Sequence, residues 1–206
     1  MKRLYEELSE LVPVHSTVTQ EELDGEKVFR VTKKEKIMQF DENTLVKVKN
    51  LDFHNGVIRV KMLSRLLPDA PDFARGFIGI VFRVNQDSSE FESFYIRPTN
   101  GTTDDPVRKA HGCQYFSYPG YTFAYFREFR ITEYEAPIHD GLDEWVQLTA
   151  VINDDKAAFY LNDEKEPVLE VHSMKHGKDA RGSVGFFSEI GTEAFFKDFE
   201  VECTDS

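Results

Sequence analysis

Cysteine is scarce in this chain: Cys113 and Cys203 are the only two, and they stand far apart. That excludes a disulfide-stapled scaffold and fits no zinc spacing of the Cys-x-x-Cys kind. Two buried free thiols are the reading, with a single disulfide as the alternative. Long apolar runs are missing too. No stretch approaches the roughly 20 residues of a membrane-spanning helix. The opening MKRLYEELSELV interrupts with acidic residues what would be the apolar heart of a signal peptide, so a cytoplasmic location is expected. Positive charge is in deficit, 25 Lys and Arg against 37 Asp and Glu for a net charge of -12. This argues against nucleic acid or an anionic membrane surface as partner. No G-x-S-x-G occurs, and the histidines (His15, His54, His111, His139, His172 and His176) show no zinc spacing.

What the chain does have is aromatic side chains, 18 Phe and 8 Tyr against one Trp, most of them in short strand-like runs. Its 206 residues suffice for one sizeable core, and one domain spanning residues 1–206 is expected. Leu4, Leu8 and Leu11 recur at helical spacing opposite Glu6, Glu7 and Glu10, which predicts an N-terminal helical segment over residues 1–13 ended by Pro13. From Val14 onward the period becomes that of strands. Val28 to Val31, Ile37 to Phe40, Leu45 to Val48, Val57 to Met62, Phe77 to Val84 and Phe91 to Pro98 alternate or run apolar between turn signals. Trp145 to Ile152, Ala157 to Leu161, Val168 to Val171, Val184 to Phe187 and Ala194 to Val201 continue the series. The fold class is therefore all-β, two antiparallel sheets packed face to face.

The stretch Phe91 to Tyr125 organises the rest. Phe94 and Ile96 share one face of its first strand, with Ser93, Tyr95 and Arg97 on the other. The preceding run has an apolar row, Ile78, Ile80, Phe82 and Val84, and a mixed row that includes Arg83. If residues 85–90 form a hairpin loop, Arg83 faces the same way as Tyr95 and Arg97. The plainer alternative is that these arginines pair with surplus carboxylates on a solvated face. The long polar loop Pro98 to Gly112 then carries Asn100, Arg108 and His111, and Gln114 and Tyr115 open a second aromatic stretch broken at Pro119 and Gly120.

These residues carry a resemblance. Trp145 and its strand, AAFYLND at Ala157 to Asp163, GSVGFF at Gly182 to Phe187 and GTEAFFKDFEV ending at Val201 resemble the closing half of the concanavalin A-like lectin and glucanase superfamily. Laminin-G-like and 3-keto-disaccharide hydrolase-type domains belong to it. FYIRPTNG and VRKAHGCQYFSYPGY are similar to an uncharacterised bacterial branch of the same group. The resemblance implies a jelly-roll sandwich with a ligand on its concave face. Because this architecture hosts lectins, glycosidases and interaction modules alike, it does not imply one activity.

Three functions follow as expectations: a carbohydrate-binding or carbohydrate-acting domain, a laminin-G-like protein interaction module, or a glycoside hydrolase-type enzyme acting on a 3-keto-sugar. Glucanases of this fold take their carboxylates from a Glu-x-Asp-x-x-Glu or Glu-x-Asp-x-Glu strand, and neither pattern occurs here, so no catalytic residue is nominated. Glu92 reads as a residue at the solvated end of its strand, Glu133 and Glu135 as an exposed acidic strand. Cys113 follows His111 closely, which says nothing about geometry. No cofactor is expected. The resemblance admits calcium, for which Asn100, Asp104 and Asp105 are the oxygen ligands in one loop. The candidate ligand-binding set is Arg83, Tyr95, Arg97, Asn100, Arg108, His111, Gln114 and Tyr115: a ring to stack on a sugar, amides and an imidazole for hydroxyls, and guanidiniums that favour an acidic sugar.

Overall fold

The computed structural model describes residues 1–34 and 43–204. The strands are β1 (Lys2–Tyr5), β2 (Leu11–Val14), β3 (Ser16–Leu23), β4 (Glu26–Lys33), β5 (Leu45–Val48), β6 (Gly56–Leu66), β7 (Ile78–Val84) and β8 (Phe91–Ile96). They continue as β9 (Cys113–Tyr118), β10 (Glu135–Ala136), β11 (Val146–Asn153), β12 (Lys156–Leu161), β13 (Leu169–Val171), β14 (Ser183–Ser188) and β15 (Thr192–Cys203). Three short helices, α1 (Pro98–Gly101), α2 (Pro106–Lys109) and α3 (Phe123–Glu128), lie in the connections on either side of β9. The strand expected at Ile37 to Phe40 lies outside the described residues.

Among the described residues the strands make two antiparallel sheets. One has eight strands in the order β13-β12-β11-β6-β15-β4-β3, with β1 also paired to β15; the other has seven in the order β10-β9-β8-β7-β14-β5-β2. The expected two-sheet antiparallel sandwich is what forms. Rings from one sheet stack on rings from the other: Phe94 on Phe159 and Phe186 on Phe196, each pair 4.2 Å between centroids and 11° from parallel. These stacks identify the inner faces, where the unbroken row Ile78, Ile80 and Phe82 is buried. Burial of large aromatic and aliphatic side chains of this kind, at about 25 cal/mol per Å² of apolar surface, is the main force holding the sheets together.

The helix expected over residues 1–13 is not there. Lys2–Tyr5 instead adds a strand to β15, with Tyr5 opposite Phe199, and Leu11–Val14 adds one to β5, with Leu11 opposite Val48; only Leu8–Glu10 turns, as a single 3-10 turn. The helical spacing of the leucines is overridden because exposed sheet edges offer ladder hydrogen bonds and a core-facing side for Tyr5 and Leu11, both about 5 % exposed, whereas Leu4 points outward at 46 %. Pro13 is tolerated because β2 is the outermost strand of its sheet, where a missing N–H costs no ladder bond.

Candidate functional site: a cleft over the seven-stranded sheet

Residues directly opposite across an antiparallel pair share a face. Tyr95 stands opposite Gly79 and Gln114, Phe187 opposite Gly79, and Ser93 opposite Phe116, so these side chains occupy the outer face. Gly79 is required there. A Cβ at that position would sit 2.0 Å from the Phe94 carbonyl oxygen and 2.8 Å from the Tyr95 Cβ. With nothing on Gly79, the rings on either side meet over it: Tyr95 lies 5.4 Å from Phe187, 5.7 Å from Phe116 and 6.1 Å from Phe77. The expectation of one open face is corrected by burial, because β8 is buried along its whole length on both sides. The outer face is roofed by the connections around it.

Between floor and roof lies a cleft of about 590 Å³. Phe77, Tyr95, Phe116 and Phe187 form its floor; Phe73 and Arg75 come from the loop before β7, Asn100, Arg108 and His111 from the α1–α2 segment, and Phe123 and Arg127 from α3. The roof holds its shape through local chemistry. Pro98 and Pro106 start the two short helices, and the Asp105 carboxylate accepts hydrogen bonds from the Val107 and Arg108 N–H groups as an N-cap. Asn100 is buried and bridges the segment: its amide donates to the His111 carbonyl at 3.0 Å, and its Oδ1 accepts from Arg108 Nε at 3.0 Å.

Behind the floor runs a charged network. Arg97, 4 % exposed, donates from Nη2 to the Tyr95 hydroxyl at 2.7 Å and to Gln114 Oε1 at 2.5 Å, and from Nη1 to the His111 carbonyl at 3.1 Å and Glu135 Oε1 at 3.4 Å. The other oxygen of Glu135 meets His111 Nδ1 at 2.5 Å. Glu135 is brought here by the two-residue strand β10, which pairs it with Gln114. The exposed acidic strand expected at Glu133 and Glu135 is thus half right: Glu133 is exposed, while the Glu135 side chain is 8 % exposed and pairs with Arg97. Arg97 therefore has both terminal nitrogens committed within the protein.

Two nominated residues lie elsewhere. Arg83 is buried at the end of β7 and donates to the carbonyls of His54, Gly177 and Asp154 and to Asn55 Oδ1, away from Tyr95 and Arg97. Its backbone has φ 53°, and the pairing of β7 with β14 slips between Ser183 and Gly185, so the alternation carried from Phe77 breaks one residue early. Tyr115 is on the inner face, opposite Phe94, and fully buried. Its hydroxyl and that of Ser117 both donate to Glu92, whose second oxygen accepts from the His176 N–H at 3.0 Å. Glu92 is 0 % exposed, so its reading as a solvated residue is overturned; hydroxyl and amide donors replace the water it gave up. Burial, followed by the Glu92 charge, pushes the Tyr115 phenol pKa well above its usual value.

The remaining nominees are placed as follows. Tyr95, Arg97, Asn100, Arg108 and His111 all line the cleft, whereas Gln114 is buried behind it, its Nε2 without a hydrogen-bond partner among the described residues. The two cysteines are not joined to each other: Cys113 is buried on the inner face and Cys203 is half-buried. Burial pushes the Cys113 thiol up to about 12, so it is no nucleophile for His111. The calcium ligands do not fit: Asp105 caps α2, and Asn100 Oδ1 already holds the Arg108 guanidinium, a cation that would repel another. Arg75, Phe77, Phe116, Phe187 and Glu135 were not nominated. The mixed outward row beginning at Phe77 and the aromatic stretch that holds Phe116 were sequence signals for rings, Glu135 read only as an exposed acid, and Arg75 had no signal.

No family model matches this chain, and no curated protein does. Solved structures do. The carbohydrate-binding module CBM66 from Bacillus subtilis superposes with a TM-score of 0.56 at 13 % identity, covering 92 % of this chain and 97 % of that one. A Bacillus subtilis protein of unknown function with a galectin-like fold gives a TM-score of 0.55 at 11 % identity, covering 98 % and 94 %. At such identities the likeness is one of fold: an all-β, concanavalin A-like and galectin-like sandwich.

Proposed function

We propose that this chain binds a saccharide in the cleft over its seven-stranded sheet. The observation that carries the reading is a cleft of about 590 Å³ with four aromatic rings as its floor and Asn100, Arg108 and His111 at its rim. Its size falls in the ~300–1,000 Å³ range of small-ligand sites. Aromatic faces take the apolar face of a sugar ring, and the amide, guanidinium and imidazole groups take its hydroxyls. The sandwich it shares with a carbohydrate-binding module and a galectin-like protein supports the reading without assigning a sugar. A concave cleft with a ring floor supports a small ligand over the flat protein patch that an interaction module of the laminin-G type would present. The test is a glycan array probed with the wild-type protein and with V107W, since Val107 lines the cleft yet is 69 % exposed. We expect V107W to lose glycan binding at an unchanged melting temperature; undiminished binding would move the site elsewhere.

A second reading, that the cleft also acts on the sugar, is favoured by one observation. Glu135 holds His111 by Nδ1, and the ring also lines the cleft, leaving Nε2 as the nitrogen with no hydrogen bond among the described residues. A carboxylate that fixes the tautomer of a cleft-lining imidazole is the arrangement of a general base. On this reading H111A, which gives up one hydroxyl contact, binds somewhat more weakly but loses turnover altogether for whichever glycan the array identifies.

A further inference from the structure

We infer that the cleft contains an oxyanion subsite between Arg75 and Arg108, and hence that its saccharide carries an acidic substituent, a uronate carboxylate or a sulfate ester. The inference rests on the saccharide reading above and sharpens it. Its starting point is an imbalance of charge. In a chain with 12 more acidic than basic side chains, arginines find carboxylates readily: Arg30, Arg59, Arg65 and Arg181 each sit on one, and Arg97 sits on Glu135. Arg75 and Arg108 do not. Among the described residues their partners are neutral oxygens only: the Asp72 and Ala74 carbonyls for Arg75, and Asn100 Oδ1 with the Thr99 carbonyl and hydroxyl for Arg108.

These two guanidiniums line the same cleft as Arg97. Burial, then the charges of Arg108 and Arg97, lower the Arg75 pKa from its usual value. The two buried carboxylates at the site do nothing to relieve this. Glu135 is held by Arg97 and His111, and Glu189 by Lys33 at 3.0 Å, Thr44 at 3.2 Å and the Ile190 N–H at 2.6 Å. Half-buried positive charge without a counter-charge is costly unless a ligand supplies one.

The hydrogen bonds already made also define what is free. Arg75 is anchored through Nη1 alone, which leaves its Nε and Nη2, the two parallel donors of a guanidinium edge, without a partner among the described residues. Arg108 is anchored through Nε and Nη2, which leaves Nη1. Each side chain is thus held in place by backbone and amide oxygens while keeping donors to spare. A forked donor edge matches the paired oxygens of a carboxylate or sulfate, and arginines pre-positioned by neutral partners lose little freedom on meeting one.

The test uses the array with matched oligosaccharides that differ only in bearing a neutral, a uronate or a sulfate group. Wild-type protein should prefer the acidic members by about tenfold or more, the worth of one or two charge-assisted hydrogen bonds, with the preference shrinking as salt is raised. R75Q and R108Q should each erase most of that preference, R75Q at an unchanged melting temperature and R108Q with at most a small drop, since its contacts to Asn100 and Thr99 go as well. A uronate-over-sulfate order, or the reverse, then identifies the group. Equal binding of neutral and acidic members by the wild type, or a preference that survives in both variants, overturns the subsite while leaving saccharide binding intact. If no glycan binds, the saccharide reading falls, and inorganic sulfate against chloride at matched ionic strength decides the subsite. A melting temperature raised by sulfate in the wild type and in neither variant upholds it; no such rise overturns it.

Discussion

Arg97 and Glu135 form a 3.4 Å ion pair at the back of the cleft, their side chains only 5 % and 8 % exposed. Nothing in the order of the chain brings them together, since 38 positions separate them. Because Arg97 also donates to Tyr95, Gln114 and the His111 carbonyl, its removal strands several acceptors at once. R97A should therefore destabilise the fold by about 3–5 kcal/mol, the usual cost of breaking a buried pair from one side. R97M combined with E135L should recover part of that loss. Chemical denaturation measures both, and an R97A variant as stable as wild type would mean that the pair does not form.

Phe123 stands at the cleft wall with the Arg127 guanidinium 5.1 Å above its ring, and it is only half-buried. A ring there adds stacking area to a bound sugar without anchoring the core. F123A should weaken glycan binding by about 2–10-fold, corresponding to ~0.5–1.5 kcal/mol, with a small effect on melting temperature. Calorimetric titration with the best glycan from the array reads this directly. Unchanged affinity would place the sugar away from α3.

Glu189 predicts a pH dependence. Burial raises its pKa above the ordinary 4.5, against the opposing pull of Lys33. The folded chain then holds this proton at a higher pH than the unfolded chain does. Its contribution to stability is therefore greatest below pH 4.5 and is lost as pH rises through the folded value. The difference in melting temperature between wild type and E189Q should accordingly move against the wild type as pH is raised from 4.5. A difference that moves the other way would mean that Lys33 outweighs burial.

Cys113 should be inert in the folded protein. It is fully buried with its thiol pushed up to about 12, whereas Cys203 is half-buried near the C-terminus. Thiol-reactive dye followed by peptide mapping should label Cys203 first and Cys113 only in denaturant. Labelling of Cys113 at the rate of a free thiol in native protein would contradict its place on the inner face.

What the sequence determined by itself is whatever depends on neighbours a few residues apart. Side-chain alternation is local, so Leu45–Val48 was legible as a strand, the row Ile78, Ile80 and Phe82 as core, and Tyr95 as facing away from Phe94. Asn100, Arg108 and His111 were legible as a group because one polar loop supplies all three, and all three line the cleft. What only the tertiary structure decided is whatever depends on pairing between distant segments. Leu4, Leu8 and Leu11 obey a helical period, yet the free edges of β15 and β5 capture the chain as strands. A single irregularity in the pairing of β7 with β14 sends Arg83 to four acceptors contributed by His54, Asn55, Asp154 and Gly177. Glu135 becomes the partner of Arg97, and Arg75 the neighbour of Arg108, only when β10 joins β9 and the loop before β7 folds over the sheet. Periodicity carries the facing of each side chain along its own strand, but the charge it meets there comes from a segment whose distance in sequence leaves no trace in that periodicity.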